Sequence, residues 1–125
     1  MAKILVIEDE QDVALVLSKR LINEGYELLN ALDAYQGYSL ALKVKPDLII
    51  LDLMLPAGGG LTVLKHIRGS VEIMNTPVIV ITGIKDTQYE QQVIKEGVEF
   101  YMEKPYDFDK LKAAILDIFK KKGIR

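Results

Sequence analysis

The sequence predicts an α/β sandwich, a parallel sheet with helices on both faces, and three observations predict it. Short runs of branched apolar residues recur along the chain, each too short for a helix. Between them lie stretches whose apolar residues fall three and four apart, the spacing of one helical face. Strand-like and helix-like stretches alternate five times, which specifies a parallel sheet with right-handed crossovers.

Taken in order, Ile4-Leu5-Val6-Ile7 is the first strand, broken by the three acids Glu8-Asp9-Glu10. Val13, Val16, Leu17 and Leu21 follow at helical spacing, and Gly25 is suited to a left-handed stop. Tyr26 to Leu32 reads as the second strand. Asp33, with Gln36 three residues later, forms a capping-box pattern that opens a helix through Lys43. Gly37 inside that helix costs about 1 kcal/mol relative to alanine. Asp47 to Asp52 is a third strand, apolar from Leu48 to Leu51 between its two carboxylates, and Pro56 stops the run. Ala57-Gly58-Gly59-Gly60 reads as a flexible loop, and Leu61, Leu64 and Ile67 mark the next helix. Val78 to Ile81 is the fourth strand, ending in Thr82-Gly83. Asp86 or Thr87 caps a helix to Gly97 in which only Val93 and Ile94 are clearly apolar, so this helix is expected to be weakly anchored and mobile. Val98 to Met102 is the fifth strand, followed by Glu103, Lys104 and Pro105. From Asp107 the last helix shows Leu111, Ala114, Ile115, Ile118 and Phe119 as one stripe, with Lys120 to Lys122 at its C-terminal end.

Because the first, third and fourth strands are the most apolar, they belong in the centre of the sheet. That gives the flavodoxin-like, doubly wound order 2-1-3-4-5 with five helices. The exits of strands one and three then adjoin at the switch point, where ligands bind in such sheets. Glu8, Asp9 and Asp52 converge there, with Thr82 and Lys104 beside them.

The bulk numbers narrow the function classes. At 125 residues and 14.1 kDa, residues 1–125 are read as a single domain able to bury its own core. With 16 basic and 18 acidic side chains the net charge is -2, so no global field draws the chain to nucleic acid or a membrane. There is no cysteine, which excludes disulfides and thiolate metal sites. No early apolar stretch is long enough for a signal-peptide core or a membrane span, and a cytoplasmic location is the expectation.

Three carboxylates in one crevice repel each other unless a cation sits among them, and an all-oxygen donor set suits Mg2+. The obvious use is phosphate chemistry. With the metal and Lys104 offsetting charge and the Thr82 hydroxyl donating to an oxygen, Asp52 is placed to attack phosphorus in line and become an acyl phosphate.

Ile4 to Glu10, Pro46 to Pro56, Val78 to Thr82 and Tyr101 to Pro105 resemble the receiver domain of bacterial two-component response regulators, over nearly the whole chain. The resemblance implies a phosphorylation-dependent signalling switch that catalyses only its own phosphorylation and slow dephosphorylation. It implies Asp52 as phosphoacceptor, Asp9 as the main acidic magnesium ligand, Glu8 as a more distant one acting through water, and the Met54 carbonyl completing the set. Thr82 and Lys104 match the switch hydroxyl and phosphate-binding lysine, Lys104-Pro105 the bond usually cis in the family, and Tyr101 the aromatic switch residue. On phosphorylation Thr82 is drawn to the phosphoryl group, Tyr101 turns inward, and the face of the fourth helix, fifth strand and fifth helix changes. The implied partners are a histidine kinase or histidine phosphotransfer protein as donor and a downstream protein target, with no direct nucleic-acid or membrane contact. The chain is expected as a monomer or a phosphorylation-induced dimer.

Departures from the family pattern are informative. Gly59 stands where the family commonly has Asp, and Val98 and Phe100 replace small and acidic residues. Met54 and Ile84, two residues beyond Asp52 and Thr82, cannot orient an attacking water, so slow self-dephosphorylation is expected. His66, the only histidine, is read as a surface residue rather than a phosphoryl carrier. A magnesium-dependent phosphohydrolase is the enzymatic rival, but it would want a second Asp where Met54 stands. A flavin-binding protein would not place Glu8-Asp9-Glu10 where a phosphate must go. A receiver-like adaptor that is never phosphorylated is the third alternative.

Overall fold

The computed structural model describes residues 1–55 and 59–124, so Pro56, Ala57 and Gly58 of the expected loop, and Arg125, lie outside the described residues. The chain runs β1 (Lys3–Ile7), α1 (Gln11–Asn23), β2 (Glu27–Ala31), α2 (Ala34–Val44), β3 (Leu48–Asp52), α3 (Gly59–Arg68), β4 (Val78–Thr82), α4 (Thr87–Glu96), β5 (Phe100–Glu103) and α5 (Phe108–Lys122). All strand pairs are parallel, in the order β2-β1-β3-β4-β5.

The two-residue period of each strand sorts its side chains between two layers. Leu5, Ile7, Ile49, Leu51, Val78 and Val80 pack with Ala41 of α2, Val63, Leu64 and Ile67 of α3, and Val93 of α4. Ile4, Val6, Leu48, Ile50, Ile79 and Ile81 pack with Leu17 and Leu21 of α1 and with Leu111, Ile115, Ile118 and Phe119 of α5. Helices α2 to α4 therefore cover one face, and α1 and α5 the other. Every residue of β3 and β4 is buried.

Local signals act largely as their chemistry dictates. Gln36 N–H donates to Asp33 Oδ1 at 2.7 Å, the first arm of the capping box, while the Gln36 side chain reaches one residue further back and accepts from Leu32 N–H at 2.8 Å. Asp86, not Thr87, caps α4, accepting from the N–H groups of Gln88 and Tyr89. Gly37 has a packing reason that offsets its helix penalty. A Cβ there would lie 2.6 Å from Cδ1 of Ile7, so its absence lets α2 close on β1.

Two boundaries differ from the sequence reading. Gly59 and Gly60 are helical rather than loop, because α3 starts hard against the preceding turn: a Cβ on Gly60 would sit 2.5 Å from the Leu53 Cα. The fifth strand begins at Phe100 rather than Val98. Gly97 turns the chain with φ +97, and Glu99 faces β4 first, donating its N–H to Val78 O at 2.9 Å and accepting Val78 N–H on its carboxylate at 2.8 Å.

Arg68, the last residue of α3, gathers this region. Its guanidinium donates to the carbonyls of Gly97 (2.9 Å), Met74 (3.1 Å) and Thr76 (2.6 Å), and pairs with Glu99 at 3.3 Å. One side chain thus ties the end of α3 to the entry of β4 and to the C-terminal end of α4.

Candidate functional site

Parallel register places the site. Ile7 of β1 pairs with Leu51 of β3, Asp52 with Ile81 of β4, and Thr82 with Glu103 of β5, so the next residues of neighbouring strands leave the sheet side by side. Backbone bonds extend the alignment beyond the strands: Glu8 N–H donates to Ala31 O at 3.0 Å, and Lys104 N–H to Thr82 O at 2.8 Å. The Lys104-Pro105 bond is cis.

Glu8, Asp9 and Asp52 each offer a carboxylate oxygen within 4.8 Å of the others. Glu8 and Asp52 are only 4% and 5% exposed, while Asp9 faces solvent, so the cluster is walled by protein and open on one side. Lys104 reaches in over them, with Nζ 2.8 Å from Asp52 Oδ2 and 3.3 Å from Glu8 Oε1. Backbone donors hold the two buried carboxylates in place: Met54 N–H donates to Asp52 Oδ1 at 2.8 Å and Glu10 N–H to Glu8 Oε2 at 3.2 Å.

One ammonium does not balance three carboxylates. Burial pushes the Glu8 carboxyl up to about 7, a hydrogen bond to Asp52 and the charge of Asp52 adding to it while Glu10 N–H and Lys104 oppose. Burial works against the charge on Lys104, yet Asp52 and Glu8 together hold it above its ordinary value. An all-oxygen cluster that presses its own member toward protonation, with an exposed carboxylate at its rim, has the donor chemistry of a site for a hydrated hard cation.

The expected residues fall as follows. Glu8, Asp9, Asp52 and Lys104 form one cluster. Thr82 is fully buried at the exit of β4, and its Oγ1 accepts from Ile84 N–H at 3.0 Å. Met54 is joined to the cluster by its backbone N–H, which is bound to Asp52 Oδ1, while the residue is 53% exposed. Tyr101 is partly buried, and its hydroxyl, out of contact with solvent, has no hydrogen-bond partner among the described residues. Burial raises its pKa, and the charges of Glu90 and Glu103 add to that. His66 is exposed on α3, its ring 5.2 Å from that of Tyr38. Sequence reasoning missed Gly60 and Arg68, since a glycine in a glycine-rich loop and an arginine at a helix end carry no local sign of what they touch.

The family model for the response regulator receiver domain matches residues 4–116. Response regulator ArlR of Staphylococcus aureus is 38% identical over 121 residues, covering 97% of this chain and 54% of that protein. The DNA-binding dual master transcriptional regulator RpaA of a Synechocystis strain is 34% identical over 115 residues, covering 92% and 48%. The chain therefore spans about half the length of the curated relatives it matches. Among solved structures, a response regulator receiver domain protein from Clostridium thermocellum superposes with a TM-score of 0.90 at 29% identity, over 98% of both chains. A match along most of the sequence and a backbone that follows solved receivers make this chain a member of the response regulator receiver domain family.

Proposed function

We propose that residues 1–125 act as one receiver domain in which Asp52 accepts a phosphoryl group and the resulting strain on Thr82 and Tyr101 reshapes the face of α4, β5 and α5. The observation that carries this reading is the 2.8 Å contact of Lys104 Nζ with Asp52 inside a cluster of three carboxylates. A buried carboxylate so placed is a nucleophile with a cation ready to receive phosphoryl oxygens.

Asp9, Asp52, the Met54 carbonyl and, through water, Glu8 would hold Mg2+, which when bound supplies positive charge to the phosphoryl oxygens. An Asp52 oxygen forms its bond to phosphorus as the bond from phosphorus to a histidine nitrogen of the donor breaks, the electron pair staying on that nitrogen. Lys104 pairs with the phosphoryl group, and the Thr82 hydroxyl, which accepts from Ile84 N–H, keeps its own proton free to donate. The donor is a histidine kinase or histidine phosphotransfer protein, and the output is contact with a protein target by a monomer or a phosphorylation-induced dimer in the cytoplasm. RpaA is a DNA-binding regulator by name, but the net charge of -2 favours protein contact rather than nucleic acid for this part. The hydrolase reading lacks the second acid it requires, since that position is Met54.

Incubation with acetyl phosphate and Mg2+ should add one phosphoryl group, localised by mass spectrometry to Asp52. Chelation of the metal or Asp52→Asn should abolish the gain. A gain that persists in Asp52→Asn would overturn the assignment.

A further inference from the structure

The two ends of α4 are held in different ways. Its start hangs from Gly83, Ile84 and Lys85, and that link is bonded back to β4 through Ile84 N–H and Thr82 Oγ1 at 3.0 Å. Asp86 accepts from Gln88 and Tyr89 N–H, so this cap travels with the helix and does not fasten it to a neighbour.

The far end is fastened from outside. Arg68 of α3, whose side chain is only 16% exposed, donates Nε–H to Gly97 O at 2.9 Å and pairs with Glu99. Glu99 in turn shares two bonds with Val78, the first residue of a strand buried throughout. The same guanidinium reaches Met74 O and Thr76 O on the approach to that strand. One cation thus binds the C-terminal end of α4 to α3 and to the central sheet. Apolar anchoring is just as lopsided. Val93, the one buried side chain of α4, lies about one turn from Gly97, whereas Tyr89 and Glu90 near the start are only partly buried.

We infer that Arg68 is a positioning residue that makes Gly97 the pivot of α4: when Thr82 shifts, the start of the helix swings while its end stays against α3. The inference rests on the phosphoacceptor role proposed above, which supplies the pull on Thr82. A Thr82 hydroxyl drawn toward Asp52 takes the acceptor of Ile84 N–H with it, so displacement enters α4 at its start. The surface offered to a target is therefore remodelled at the first turns of α4 and kept around Gly97. At a rise of about 1.5 Å per residue, Gln88 lies roughly 13 Å from the pivot and Lys95 roughly 3 Å, so rigid rotation carries Gln88 about four times as far.

The chain has no cysteine, so spin labels attach only where one is introduced. Gln88→Cys or Lys95→Cys is paired with a reference label at Lys19→Cys of α1 and, in a second series, at Lys43→Cys of α2, all four being exposed positions. Pulsed-EPR distances are taken before and during loading with acetyl phosphate and Mg2+, with loading read by mass spectrometry. With Arg68 present, the larger of the two changes seen from Gln88 should exceed that from Lys95 by about threefold or more. In Arg68→Ala the freed helix translates as well as turns, and the two changes should agree within about 1.5-fold. Arg68→Lys keeps the charge without the fork and should fall between, and it decides the matter if Arg68→Ala does not fold. Equal changes at the two positions with Arg68 present, no change at either in loaded protein, or a profile that the Arg68 variants leave as it was would overturn the inference while Asp52 keeps its role. A wild-type chain that takes up no phosphoryl group would overturn the proposed function, and the pull on α4 with it.

Discussion

Glu8 is the residue on which the carboxylate cluster presses hardest. Its carboxyl goes from an ordinary 4.5 to about 7 in the fold, with burial the leading cause. Between those values the folded chain keeps a proton that the unfolded chain has released. Stability from this group is therefore full below the ordinary value and falls as pH rises through about 7, by at most roughly 1.4 kcal/mol per pH unit. In chelator, the urea midpoint of the wild type should drop between about pH 5 and about pH 7, and Glu8→Gln should remove most of that drop. Tyr101 presents the reverse case, a buried hydroxyl with no hydrogen-bond partner among the described residues. An unpartnered buried hydroxyl is a liability, so Tyr101→Phe should raise stability by up to about 1 kcal/mol in urea denaturation. A loss of stability would mean that the hydroxyl has a partner.

At the scale of the element, α4 is held at its ends more than along its length. Val93 is its one buried side chain among the described residues, Asp86 caps its start, and Arg68 grips the Gly97 carbonyl at its finish. Sparse apolar anchoring makes a helix inexpensive to shift, as a switch element must be. Arg68→Ala deletes donors to three carbonyls and the ion pair with Glu99, which should lower stability by about 1–3 kcal/mol. Amide exchange should quicken at residues 97–99. Arg68→Lys should restore only part of this, because a single ammonium cannot reproduce the guanidinium fork.

For the whole molecule, a cation bound only by the folded chain stabilises it by mass action. Magnesium at about 100 times its Kd should add roughly 2.7 kcal/mol to the unfolding free energy. Thermal melts with and without the metal would read this gain, and Asp9→Asn should shrink it. The fold was legible because its strands are short, apolar and terminated by polar residues, and the flavodoxin-like strand order, which the family resemblance also implies, then brings the exits carrying Glu8, Asp52, Thr82 and Lys104 side by side. Contacts made through space were not. Gly60 looks like loop glycine until the Leu53 backbone is seen against it, and Arg68 looks like any helix-end cation. The burial of the Tyr101 hydroxyl was missed for the same reason, since a strand residue facing solvent and one facing a helix have the same sequence signature.

Asp52 and Thr82 stand at the tips of β3 and β4, strands with no residue at the surface. Such strands become accessible only when the entire domain comes apart, whereas α4 and its surroundings can fray by themselves. Substitutions that retune recognition at the periphery therefore leave the reacting atoms in register. A lineage can exchange one downstream partner for another while inheriting the same chemistry intact.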